Sequence, residues 1–366
     1  MLVAAALAVV TPALARADAP AAARSTTCES PRIGFLGPIT GAAAFIGKEQ
    51  LGFSRYAIRQ LARGTVKLVE EDTQLSPARA ARAGARLHAN RDVLAVVGPA
   101  GSQEVLAVAP IFRRADRLPF ISGSAVAAAL TNGSSPNFFR VVPNDSVQPA
   151  TIARHIRRAL KATDVLIVDE RTAYSRRLAA AVQSRLRAGG VTVTRRSVPM
   201  KVTDFSALVA KIGPDIDVVF LPWQLAANAQ IFGLELKEQD RRAVIFGSDG
   251  LDSGDFRVPG SYVSAFATDI RALEGNGPFI AGYGSRFVSN FGPPAYVATQ
   301  AAIAAITRAC ADGVATRAEV QRMLRATFIR KIVLGGSLRF TAHGDRVGAR
   351  FSVFRLETGG RKTLVG

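Results

Sequence analysis

The sequence predicts an α/β protein of two doubly wound, Rossmann-like lobes. Three observations predict it. Short, continuous apolar runs alternate with longer amphipathic stretches, the alternation occurs twice, and 366 residues exceed the roughly 250–300 at which a single core stops growing. With 48% apolar and 20% charged residues, the chain has enough apolar surface to bury two such cores.

The first set places strands at 33–36, 66–69 and 93–97, with a short one around Phe120, and helices at about 47–62, 77–90 and 102–115. It ends near Phe139-Arg140-Val141-Val142-Pro143. The second set runs helix 147–161, strand 165–168, helix 174–188, strand 218–221, helix 224–237 and strand 244–246. The strands are β-branched and apolar throughout rather than alternating, the pattern of parallel strands covered on both faces. After 262–266 the chain turns helical (278–291, 295–312, 316–325). It closes with β-like segments at 337–340 and 351–355 around the turn Ala342-His343-Gly344-Asp345.

The N-terminus reads as an export signal. Residues 2–10 are apolar, Pro12 follows, and Ala15-Arg16-Ala17 precedes Asp18 as a small-residue cleavage pattern. The run is too short to span a bilayer. A signal peptide is expected over 1–17 and a flexible leader over 18–27. No Lys or Arg precedes the run, which leaves a start upstream of Met1 open. The expected location is the periplasm or the outer membrane face. In that oxidising setting the two cysteines, Cys28 and Cys310, suggest a disulfide. A lipid anchor on Cys28 and two free thiols are the alternatives, although no lipobox directly precedes Cys28.

The formal charge of +19 invites a nucleic-acid reading. The basic residues are instead dispersed, in pairs such as Arg113-Arg114, Arg157-Arg158 and Arg195-Arg196, as on solvated helix faces and strand ends. No nucleic-acid partner is expected, only non-specific attraction to anionic surfaces. Catalytic and metal signatures are missing as well. His88, His155 and His343 lie far apart with no ligand spacing. No nucleophile elbow occurs. The run Gly41 to Glu49 has one residue too many for a phosphate loop and a glutamate where a hydroxyl must bind magnesium. Neither a cofactor, nor a metal, nor enzymatic activity is expected.

What remains suits binding. In open α/β sheets ligands sit beyond the carboxyl ends of the strands. Gly37-Pro38-Ile39-Thr40-Gly41 with Phe45 follows the first strand. Gly98-Pro99-Ala100-Gly101-Ser102 follows the third, with Ser102 expected to cap the next helix and offer a hydroxyl and free N–H groups to a carboxylate. Ser122-Gly123-Ser124-Ala125 follows the strand at Phe120. In the second set, Tyr174 opens a helix, Trp223 follows 218–221, and Asp249 follows 244–246 where it can hold an ammonium. Tyr174 and Trp223 would wall the ligand. Ser102 as a plain structural cap, Trp223 as core and Asp249 as a turn residue before Gly250 are the alternatives.

In this order the residues resemble the type I periplasmic solute-binding proteins of ABC transporters, in their branched-chain amino-acid (leucine-binding) branch. The resemblance covers nearly the whole chain after the leader. It rests on Arg32-Ile-Gly-Phe-Leu-Gly-Pro-Ile-Thr-Gly41, Glu70-Glu71-Asp72-Thr73-Gln74, Val96-Val97-Gly98-Pro99, Ile121-Ser122, Phe139-Arg140-Val141, Thr203-Asp204-Phe205 and Gly247-Ser248-Asp249-Gly250-Leu251. It implies two lobes joined by a three-crossing hinge, 28–143 plus 270–338 and 144–269 plus 343–366. Cys28 and Cys310 then share a lobe, which supports their pairing. It also implies a monomer that delivers a small molecule to a membrane permease by hinge closure. The ligand carboxylate would lie on the Ser102 and Ser124 loops, with its ammonium at Asp249 beside Tyr174. Three departures leave the ligand open among amino acids, amides and small aromatic acids. Val126 stands where a hydroxyl is frequent, Asp249 is shorter than the usual glutamate, and Trp223-Gln224 replaces a tyrosine-rich stretch.

Overall fold

The computed structural model describes residues 25–284, 287 and 289–366. The signal-like segment 1–17 and leader residues 18–24 lie outside them. The last leader residues are not loose: Thr26–Thr27 pairs antiparallel with Val314–Ala315, and Cys28 is disulfide-bonded to Cys310.

Two sheets organise the chain. The first contains β1 (Arg32–Gly37), β2 (Lys67–Asp72), β3 (Val93–Val97), β4 (Phe120–Ser122) and β5 (Phe138–Arg140), all parallel in the order β2-β1-β3-β4-β5. The second contains β6 (Asp164–Asp169), β7 (Thr192–Ser197), β8 (Val218–Leu221), β9 (Val244–Gly247) and β10 (Tyr262–Ala265), parallel, followed by the antiparallel β11 (Ser352–Leu356) and β12 (Lys362–Leu364). Its order is β12-β11-β10-β9-β8-β6-β7. In both sheets the second strand to form lies outside the first, so the winding direction reverses between β1 and β3 and again between β6 and β8. Such a reversal splays the loops at the strand ends apart and opens a crevice.

Helices α1 (Ala44–Ala57), α2 (Pro77–Ala89) and α3 (Ser102–Phe112) cover the first sheet. The second carries α4 (Gln148–Arg158), α5 (Ala173–Ala188) and α6 (Ala226–Glu238). After β10 the chain returns to the first sheet through α7 (Gly277–Tyr283), α8 (Gly292–Ala309) and α9 (Arg317–Arg325), and α8 packs on α1, β3 and β4. Helix α8 is apolar nearly all round and correspondingly buried. Four elements depart from expectation. The helix expected over 278–291 ends at Tyr283, where Gly284 follows with φ +99°. The 47–62 helix ends in a π-helical turn, Ile58–Ala62. The 102–115 helix stops at Phe112. β7 was not anticipated, because its Thr-Val-Thr-Arg-Arg-Ser sequence is that of a polar edge strand.

The chain crosses between the lobes three times, after β5, after β10 and after the Phe328–Ile329/Leu338–Arg339 pair. Arg140, at the end of β5, ties the first crossing to the third. Its side chain is fully buried. Its Nε donates to Asp345 at 2.5 Å, and its terminal nitrogens donate to the carbonyls of Ala125 (3.1 Å) and Ala127 (2.8 Å) and to the Thr131 hydroxyl. The other Asp345 oxygen accepts from Thr131 (3.1 Å) and Asn144 (2.9 Å). Asp145 then accepts from the Ala128 N–H (2.7 Å) and pairs with Arg177 of α5 (2.7 Å).

Removing one partner of a buried pair strands the other. Arg140→Met should lower unfolding free energy by about 3 kcal/mol, read from urea denaturation. Arg140→Met with Asp345→Leu should recover part of that loss. A loss below about 1 kcal/mol, the scale of a surface pair, would contradict this role.

Candidate functional site

The carboxyl ends of both sheets face one another, and a small cavity lies between them. It is lined by Ser102, Ser124, Tyr174 and Asp249, four of the residues singled out from sequence, together with Ile46, Leu75, Gln224 and Phe291. At about 20 Å³ it has room for roughly one water molecule. The lobes are drawn together over it. Gln103 of α3 donates to Gln224 at 3.2 Å, and Asn290 donates to Asp252 at 2.6 Å.

On the first-lobe side, Gly98 has φ +111°, and a Cβ there would stand 2.0 Å from the Leu36 carbonyl oxygen. Only glycine fits where β1 and β3 diverge. The chain then turns into α3, whose N-cap is Gly101. Ser102 is therefore the first helical residue and not the cap expected of it. The Glu104 carboxylate takes the Gly101 N–H instead, at 2.8 Å, while Ser102 Oγ accepts from Ala127 N–H at 3.3 Å. Ser124 Oγ donates to the Ala100 carbonyl (2.9 Å) and accepts from Gln50 (2.8 Å).

On the second-lobe side Asp249 is the centre. It is buried, and its Oδ1 accepts from Tyr174 Oη at 2.7 Å and from Gln148 Nε2. Gln148 also donates to Ser264 at 3.0 Å. Burial pushes the Asp249 carboxyl up to about 6, against the pull of the Tyr174 and Gln148 hydrogen bonds. Tyr174 in turn is held well above the ordinary phenol value, first by burial and then by the Asp249 charge.

Trp223 does not wall this cavity. It is fully buried in the second-lobe core, its indole N–H donates to the Val168 carbonyl at 2.6 Å, and its ring packs against Phe205 and Phe232. The indole is the one polar handle on a large apolar ring, and a carbonyl at a strand end satisfies it where a ligand would not. Its contribution to the site is indirect. A Cβ on Gly250 would lie 2.1 Å from the Trp223 carbonyl oxygen, so this close approach fixes the turn that aims Asp249. Phe45 does not line the cavity either: half-buried, it stands edge-on to Phe291 with centroids 6.1 Å apart.

Gln50, Gln148 and Gln224 were not anticipated as site residues. Only Gln224, beside Trp223 at a strand end, had a position that could have suggested it. Two further buried acids stand behind the loops. Burial pushes Glu104 up to about 7, countered by the Thr73 hydroxyl and the Gly101 N–H. Burial pushes Glu170 up to about 8, countered by the Gln224 and Leu225 N–H groups, the first of which it accepts at 2.9 Å. Among the described residues, no basic side chain lines the cavity.

Comparison with known proteins agrees with this fold. The periplasmic binding protein family profile matches residues 30–361. The Leu/Ile/Val-binding protein BraC3 of Rhizobium johnstonii is 25% identical over 236 residues, 63% of this chain and 64% of that protein. The match thus spans just under two thirds of that relative's length. The leucine-specific-binding protein of Salmonella typhimurium is 21% identical over 349 residues, 91% and 92% of the two chains. Among solved structures, the leucine-binding protein LivK of Thermotoga maritima superposes with a TM-score of 0.82 at 21% identity, covering 92% of this chain and 98% of that one. A solute-binding protein of R. palustris in complex with benzoate gives 0.80 at 18% identity, covering 92% and 96%.

A carboxyl whose pKa is raised by folding favours the folded state while protonated, and that stability is lost as pH rises through the folded value. Glu170 should therefore contribute stability at pH 4.5 that declines until about pH 8. Urea midpoints of Glu170→Gln and the parent chain should diverge over this interval, the parent losing more. Parallel curves would mean that Glu170 is ionised in the fold throughout.

Proposed function

The chain belongs to the periplasmic binding protein family, a family of binding proteins and not of enzymes, and from that premise we propose that it binds an α-amino-acid-like solute between its lobes and presents it to an ABC permease. The observation that carries this reading is the buried Asp249 in a cavity with, among the described residues, no basic lining residue. A buried carboxylate is costly unless a cation or several donors meet it. A ligand ammonium would supply the missing charge, with Tyr174 and Gln148 already fixing one oxygen. The ligand carboxylate would meet the Ser102 and Gln103 N–H groups in the first turn of α3, which have no intrahelical acceptor, near the Ser102 and Ser124 hydroxyls. Ile46, Leu75 and Phe291 would face an apolar side chain.

A cavity of about 20 Å³ does not admit an amino acid, so binding requires the lobes to part along the three crossings and close again. The Gln103–Gln224 and Asn290–Asp252 contacts would break and re-form in that motion. Closure would then select the state the permease meets. Export to the periplasm follows from the same reading and from the signal-like N-terminus. Among the described residues no helix is long and apolar enough to cross a membrane.

A thermal-shift and calorimetry screen of neutral amino acids, amides and small aromatic acids tests the proposal. Saturation near 100 times the dissociation constant adds about 2.7 kcal/mol of stability, so a true ligand should raise Tm selectively. Aromatic acids alone shifting Tm would replace the amino-acid reading.

Asp249→Asn should weaken an ammonium-bearing ligand by about 2–5 kcal/mol. In the parent chain affinity should fall as pH drops through about 6, because the protonated acid no longer meets the ammonium as an anion, and Asp249→Asn should abolish that slope. A carboxylate ligand without an ammonium would show the opposite dependence, binding better as Asp249 is neutralised.

A further inference from the structure

A second and larger cavity, of about 500 Å³, opens between the lobes outside the inner one. Among the described residues four cationic side chains line it, Arg257, Arg271, Arg361 and Lys362, against one carboxylate, Asp269. They come from separate stretches of chain: the β9–β10 connection, the second crossing, and the turn between β11 and β12. Phe287, from the first lobe, closes the far wall.

Two of the cations are fixed. Arg271 forks onto Asp269, with Nε at 2.9 Å and Nη2 at 2.7 Å from the two oxygens, and its guanidinium lies 4.9 Å from the centre of the Phe287 ring. Lys362 is paired with Asp252, the same buried carboxylate that Asn290 holds across the lobes. Arg257 and Arg361 are different. Among the described residues neither has a carboxylate partner, and the Arg257 side chain donates only to the Gly254 carbonyl. Arg257 is nevertheless ordered along the wall. Its side chain lies over Gly360, which has φ +79°, and a Cβ there would come within 3.3 Å of Arg257 Cδ.

Scattered surface arginines are expected of a chain with this net charge, and each would point into solvent alone. Here two guanidiniums with no acid partner face one concavity beside two cations held in place by acids. Guanidinium forks match the paired oxygens of carboxylate and phosphate groups, and a multivalent anion could engage both arginines at once. Neutralising them would also relieve the repulsion among the four charges.

We propose that this outer cavity is a second binding site, taking a small multivalent oxyanion of the phosphate or polycarboxylate type. Arg257 and Arg361 grip it, and Arg271 and Lys362 supply the surrounding field. With walls from both lobes, the site bridges them. Its lining residues point to it whatever the identity of the inner ligand.

The test uses the full chain with inorganic phosphate and, separately, citrate, at constant pH and with ionic strength held constant by sodium chloride. The expected result is a saturable rise in Tm with a matching calorimetric isotherm, weakened at least tenfold in R257Q/R361Q. Both side chains are exposed, so the double variant should fold, and its circular dichroism and Tm without added anion check this. R257K/R361K should restore part of the affinity through charge alone. Saturation by citrate only would assign the site to polycarboxylates, and by phosphate only to phosphoryl groups. The proposal is overturned if chloride at matched ionic strength produces the same shift, if neither anion saturates, or if R257Q/R361Q binds as tightly as the parent.

Discussion

A fully buried guanidinium is the constraint on which the rest of this structure depends. Arg140 brings five N–H donors into a region shielded from bulk solvent, and an unmet donor there is costly. The fold meets the demand with groups distant in sequence: Asp345 from the third crossing, the Ala125 and Ala127 carbonyls from the loop that carries Ser124, and Thr131. Satisfying one side chain therefore fixes two crossings relative to each other and the Ser124 loop relative to both. Asp145, beside Asn144 in the first crossing, extends the same logic into the second lobe through Arg177.

The inner cavity follows from topology in the same way. Both sheets reverse direction at their first strand, so each has one place where consecutive loops part, and the two places face each other. Side chains at those strand ends are then presented by backbone geometry that tolerates little change. Gly98 lies against Leu36 and Gly250 against Trp223 at distances no Cβ could occupy. Trp223 illustrates a division of labour. Its ring belongs to the core and its carbonyl to the turn, so that the rigidity of packed aromatics passes to the orientation of Asp249.

This also explains what the sequence conveyed and what it withheld. Continuous apolar runs made the parallel strands legible, and glycine and hydroxyl residues at their ends marked the loops that Ser102, Ser124, Tyr174 and Asp249 occupy. β7 was not legible because an edge strand of Thr, Val and Arg lacks the buried pattern. Ser102 was misread as a cap because Glu104, two residues further on, takes the cap's place, and a carboxylate reaching back to Gly101 leaves no signal distinct from an ordinary first-turn acid. Trp223 was misread because adjacency to a strand end does not say which face a side chain takes. Gln148 could not be found at all: it is one polar residue at a helix start, and only the folded chain brings it to Asp249 across about a hundred residues.

The charge distribution separates attraction from recognition. The chain carries a formal +19, yet among the described residues the inner cavity has a carboxylate and no cation. The three acids behind and within it, Glu104, Glu170 and Asp249, are all shifted toward their neutral forms by burial. Their low-dielectric surroundings raise the worth of any charge brought in with a partner and the penalty of any brought in without one. Among the described residues no cation awaits an anion that passes inward from the arginine-rich exterior. A ligand carrying its own positive charge loses the exterior attraction and gains a pairing that bulk water would have weakened. Selectivity for such a ligand would thus rest on where the basic residues are excluded as much as on the groups that line the site.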